Sequence, residues 1–129
     1  MQKILVIDDE KPTLSMFRLF LDAYGYKVYT AENGADGLEI FHKEKPAIVL
    51  TDVKMPGVDG LGVLRQIKEI APETAVIVIT GHGDTALAEQ AVALHAVDFI
   101  NKPIKKEALD AALEKAREKL AAAGRNQDA

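Results

Sequence analysis

Five polar side chains stand where apolar runs stop, and their types suit phosphoryl chemistry. Asp8 and Asp9 follow KILVI, Asp52 follows AIVLT, Thr80 ends AVIVIT, and Lys102 follows DFIN. Each alone has a plain structural reading: a carboxylate after a strand caps a helix, a threonine ends a strand, a lysine is solvated. Capping does not account for all of them at four strand ends. Two carboxylates about 5 Å apart repel by roughly 3 kcal/mol at an effective dielectric near 20, so three together favour a bound cation or raised pKa values. Mg²⁺ takes oxygen ligands, is held by one or two carboxylates, keeps several waters and bridges to phosphate. With it, Asp52 can attack a phosphoryl group as a nucleophile, Lys102 can pair with the transferred group, and the Thr80 hydroxyl can donate to one of its oxygens.

Those residues converge only if the strands are parallel. Lys3 to Ile7, Lys27 to Ala31, Ala47 to Thr51, Ala75 to Thr80 and Asp98 to Asn101 are short runs rich in Val and Ile, each followed by a segment of helical period. The first, third and fourth are apolar on successive residues, as strands covered on both faces are. The first helix carries Pro12 near its start, sets Leu14, Phe17 and Leu21 on one face and stops at Gly25. Asp84 is placed to cap the fourth, whose inner stripe is Leu87, Ala91 and Leu94; the last, about Lys105 to Ala122, aligns Leu109, Leu113, Ala116 and Leu120. Lys105 is a poor N-cap for it. Strands joined by helical crossovers give an α/β fold, a (βα)₅ doubly wound parallel sheet, in which ligands collect at the carboxyl ends of the strands.

Composition narrows the field further. The chain has 129 residues, 48% hydrophobic and 28% charged, enough for one domain with a real core. No window is apolar enough to span a membrane, and the acids directly after the first apolar run are unlike a signal peptide, so a cytoplasmic protein is expected. The absence of cysteine excludes disulfides and thiolate metal sites, and His42, His82 and His95 lack zinc-site spacing. A net charge of −4 argues against direct nucleic-acid binding.

VIDDE (Val6 to Glu10), TDVKMPGVDG (Thr51 to Gly60), VITGHGD (Val78 to Asp84) and DFINKP (Asp98 to Pro103) together resemble the receiver domain of two-component response regulators, over about Gln2 to Leu120. The resemblance implies a flavodoxin-like five-stranded sheet of order 2-1-3-4-5. It implies Asp52 as phosphoacceptor, Mg²⁺ among Asp8, Asp9, Asp52 and the backbone carbonyl of Lys54, Thr80 and Phe99 as a switch pair, and Lys102 as the phosphate-binding lysine. The TGHGD version is similar to receivers that precede ATPase-type transcriptional activators. His95-Ala96 stands where the family usually has Gly-Ala, so the end of the fourth helix is expected in a left-handed conformation that histidine adopts less easily than glycine.

The receiver reading implies a sensor histidine kinase or phosphotransfer protein as donor. The protein is then a switch that phosphorylates and dephosphorylates itself, not an enzyme acting on other substrates. Its output face, built from the fourth helix, fifth strand and fifth helix, would engage an effector domain or a second copy. Residues 1–122 are expected to form the receiver and 123–129 a polar tail or the start of a linker, so the chain is either a stand-alone receiver or the front of a longer regulator. Lys54 and His82, two residues beyond Asp52 and Thr80, line the approach of hydrolytic water and are expected to set the lifetime of the phosphoryl group. Competing readings are weaker. A haloacid-dehalogenase-type phosphotransferase wants a carboxylate where Lys54 stands, and a flavodoxin-like redox module would find DDEKP repelling its phosphate. A phosphate-independent binding domain on this fold would be expected to lack a pocket residue.

Overall fold

The computed structural model describes residues 2–55, 57, 59–81 and 84–124. The strand-like runs become β1 (Lys3–Ile7), β2 (Lys27–Ala31), β3 (Ile48–Asp52), β4 (Ala75–Thr80) and β5 (Asp98–Asn101). Between and after them lie α1 (Lys11–Ala23), α2 (Gly34–Glu44), α3 (Gly60–Ile70), α4 (Thr85–Ala93) and α5 (Lys106–Ala122). The strands form one parallel sheet in the order β2-β1-β3-β4-β5.

Alternate residues of the central strands feed two separate cores. Ile4 and Val6 of β1 join Phe17 and Leu21 of α1 and Leu109 and Leu113 of α5. Leu5 and Ile7 join Phe41 of α2 and Leu64 and Ile67 of α3 on the other face. Burial on both faces explains the unbroken apolar runs.

Local chemistry sets the helix ends that matter to the strand edge. Asn33 caps α2 by accepting from the Asp36 N–H at 2.8 Å, and Asp59 caps α3 by accepting from the Gly62 N–H at 2.8 Å. Gly60 has no room for a side chain, since a Cβ there would collide with the Asp52 carbonyl, and its N–H donates to the Val53 carbonyl at 2.9 Å. That close approach presses the start of α3 against the end of β3. His95 has φ 74°, the left-handed conformation expected where glycine is replaced. α5 begins after Lys105, which makes no side-chain capping bond.

Three expectations shift. β3 runs one residue later than the apolar run suggests, through Asp52, because the ladder continues: Asp52 pairs with Ile79 and the Val53 N–H donates to the Ile79 carbonyl at 3.0 Å. The inner face of α4 is alanine, with Ala88 and Ala91 buried and Leu87 and Leu94 only half-buried, since small residues let the helix lie close to the sheet. Asp84 stands at the N-cap of α4 but gives it no side-chain hydrogen bond, because its carboxylate is engaged elsewhere.

Candidate functional site

The parallel register brings the predicted residues to one edge. Ile7 pairs with Thr51, Asp52 with Ile79 and Thr80 with Asn101, so the carboxyl ends of β1, β3, β4 and β5 are level. Asp8 is fully buried, Asp52 nearly so, and Asp9 is exposed. Carboxylate oxygens of the three lie within 4.8 Å of one another. Lys102, which precedes the cis Pro103, reaches into this group from beyond β5. Its Nζ lies 3.2 Å from Asp52 Oδ2, 3.3 Å from Asp8 Oδ2 and 2.9 Å from Glu10 Oε1.

The electrostatics are those of a crowded acidic site with one resident cation. Burial raises the Asp8 carboxyl above its ordinary value, and the Asp52 charge adds to this; the Glu10 N–H, donating to Asp8 Oδ1 at 2.9 Å, and Lys102 oppose it. Burial also raises Asp52, against the attraction of Lys102 and a long hydrogen bond of 3.4 Å from the Lys54 N–H to Asp52 Oδ1. For Lys102, burial alone would lower the pKa, but the Glu10 hydrogen bond and the charges of Asp52 and Asp8 outweigh it and leave the ammonium more firmly protonated. Asp8 Oδ2 is buried without a hydrogen bond, its contact to Lys102 being at ion-pair distance but not aligned. A buried, unsatisfied carboxylate oxygen carries a desolvation cost of about 1–3 kcal/mol or more, which a hard cation between the three acids would remove. The donor set, all carboxylate oxygen, matches Mg²⁺ chemistry.

The remaining predicted residues occupy the rim. The Thr80 hydroxyl is buried and donates to Asn101 Oδ1 at 2.6 Å, not toward Asp52. Phe99, 38% exposed, faces outward. The Lys54 ammonium turns to Asp84, at 3.0 Å from Oδ1. His82, expected to modulate lifetime, lies outside the described residues. Sequence reasoning missed Glu10 and Asn101. Glu10 is the third acid of Asp-Asp-Glu, and a helix start after β1 points it back at Lys102; Asn101 is opposite Thr80 only once the β4–β5 register is known.

Comparison with known proteins agrees with this geometry. A family model described as the response regulator receiver domain matches residues 4–114. Transcriptional regulatory protein GlrR of Escherichia coli is 36% identical over 120 residues, 93% of this chain but 27% of that protein. Sporulation initiation phosphotransferase F of Bacillus subtilis is 33% identical over 102 residues, 79% of this chain and 82% of that protein. A response regulator receiver domain protein from Clostridium thermocellum superposes with a TM-score of 0.87 at 40% identity, covering 94% of this chain and 99% of that one. The chain thus spans about a quarter of the length of the transcriptional regulator it matches.

Proposed function

The chain belongs to the response regulator receiver domain family of two-component signalling, and from that premise we propose that Asp52 is its phosphoacceptor. The observation that carries this is the contact of one ammonium, Lys102 Nζ, with both Asp52 and Asp8 at 3.2 and 3.3 Å, on an edge where three carboxylates meet. A cation beside the nucleophile stabilises the negative charge that a transferred phosphoryl group brings. A phosphohistidine of a sensor histidine kinase or phosphotransfer protein is the donor. An Asp52 carboxylate oxygen forms the new P–O bond as the P–N bond of the donor breaks, and the leaving imidazole takes a proton from solvent.

Asp8, Asp9, Asp52 and the Lys54 carbonyl would hold Mg²⁺, and the bound ion would neutralise phosphoryl charge during transfer. Lys102 pairs with the phosphoryl oxygens after transfer. Thr80 gives up Asn101 to donate to one of them, and its movement leaves space for Phe99 to turn inward. That remodels the face of α4, β5 and α5, where an effector domain or a second copy would read the signal. The absence, among the described residues, of any helix long and apolar enough to cross a membrane is consistent with a cytoplasmic module. The group it modifies is its own Asp52, in residues 1–122; residues 123–129 would lead into a tail or linker.

Acetyl phosphate labelling tests the assignment. The protein should incorporate base-labile phosphate only with Mg²⁺, and Asp52→Asn should abolish it. Equal base-labile labelling in Asp52→Asn would move the acceptor elsewhere.

A further inference from the structure

Asp84 occupies the N-cap of α4 without capping it, while Asn33 and Asp59 at the same position of α2 and α3 both do. Its Oδ2 accepts instead from the Gly81 N–H at 3.0 Å, and its Oδ1 meets Lys54 Nζ at 3.0 Å. The Asp84 side chain is 13% exposed and that of Lys54 69%, so the carboxylate is the anchored end and the lysine the movable one. An exposed ion pair and an N-cap bond are of comparable worth, which makes one carboxylate with two uses easily redirected.

What would redirect it stands two residues from Lys54. A phosphoryl group on Asp52 adds about two negative charges within reach of the same ammonium. Once the lysine leaves, Asp84 loses the one ammonium paired with it among the described residues, and the amides of the first turn of α4 are the donors beside it. Those amides also carry the positive end of the helix dipole.

We propose that Asp84 is a positioning residue acting through Lys54: it holds the lysine away from Asp52, and when a phosphoryl group takes the lysine it turns to cap α4. The proposal rests on Asp52 being the phosphoacceptor. It makes α4, whose buried residues are only Ala88 and Ala91, tighten at its amino end on phosphorylation. It also makes Asp84 shorten the life of the phosphorylated state. Hydrolysis forms a P–O bond to water and breaks the P–O bond to Asp52, giving inorganic phosphate, a proton to solvent and the free carboxylate. A lysine drawn off by Asp84 shields the phosphorus less from that water.

Two measurements on the full chain decide it. Without metal or phosphate, Lys54→Met frees Asp84, so amide exchange at Ala86 and Leu87 should slow roughly fivefold, and should not slow in Lys54→Met combined with Asp84→Ala. Unchanged exchange in Lys54→Met overturns the proposal. In the second, protein labelled by acetyl phosphate decays in excess Mg²⁺. Asp84→Asn should decay several-fold more slowly than wild type, with no such effect in the Lys54→Met background. Equal or faster decay in Asp84→Asn, or the same slowing without Lys54, overturns it as well. Because the exchange arm needs no phosphorylation, a protein that fails to label counts against the Asp52 assignment, while exchange alone still decides the bridge.

Discussion

Asp8 shows how burial at a single residue stores a need for cation. Its folded pKa is raised, first by burial and then by Asp52, above the ordinary 3.8. The fold therefore keeps the Asp8 proton to higher pH than the unfolded chain does. As pH rises from 3.8 through the raised value, stability falls; above it the cost is constant. Asp8→Asn removes that titration and leaves Lys102 its contacts to Glu10 and Asp52. In metal-free urea melts, the variant should exceed wild type at pH 7 by about 1–2 kcal/mol, and the gap should close toward pH 4. A gap that stays constant over that range would show that Asp8 does not carry the burial cost. Thr80 gives a different test. Thr80→Ala keeps Asp52, the proposed acceptor, and Lys102, so it should still accept phosphate while the NMR signals of Phe99 no longer shift on phosphorylation. Wild-type shifts in Thr80→Ala would remove the hydroxyl from the switch. Asp52, Thr80 and Lys102 were legible because a polar residue closing an apolar run stands out in sequence. Glu10 and Asn101 were not, because their roles depend on a helix entry direction and a strand register.

Elements were legible to the extent that their own residues decide them. Strand runs and the α1 and α5 faces follow from periodicity alone, whereas the unused cap of α4 depends on Lys54 from another loop competing for Asp84. Lys68 is a further case of an element end settled from outside. At the end of α3 its Nζ donates to the Thr74 carbonyl at 2.6 Å and the Pro72 carbonyl at 3.2 Å, tying the helix to the turn that enters β4. Burial first, and then the charge of Lys119 on α5, lower its pKa from 10.5 to about 8, with Glu73 opposing. The ammonium is thus less favoured in the fold than in the unfolded chain, and stability should gain as pH rises from about 8 to 10.5. Side-chain NMR titration should give Lys68 a midpoint near 8, and Lys119→Gln should raise it while burial keeps it below 10.5. A midpoint at the ordinary value in wild type would mean that the amine is solvated.

At the scale of the whole molecule, the two cores and the acidic edge depend on different things. The cores lie on the faces of the sheet and are closed by α1 and α5 on one side and α2, α3 and α4 on the other; the three acids sit at the carboxyl ends of β1 and β3 and contribute repulsion to the metal-free fold. Mg²⁺ bound among those acids would therefore add stability by linkage, separately from the two cores. At ten times its dissociation constant the ion should contribute about 1.4 kcal/mol, roughly 5 °C in the melting temperature of a domain this size. Asp9 separates the two contributions, because it is exposed and joins the cluster without belonging to either core. Asp9→Asn should melt at or above wild type in EDTA, since a like charge is removed, and should lose most of the rise with added Mg²⁺. Thermal melts over a Mg²⁺ series check both parts. A lower metal-free melt would make Asp9 structural, and an unchanged Mg²⁺ slope would take it out of the ion's ligand set.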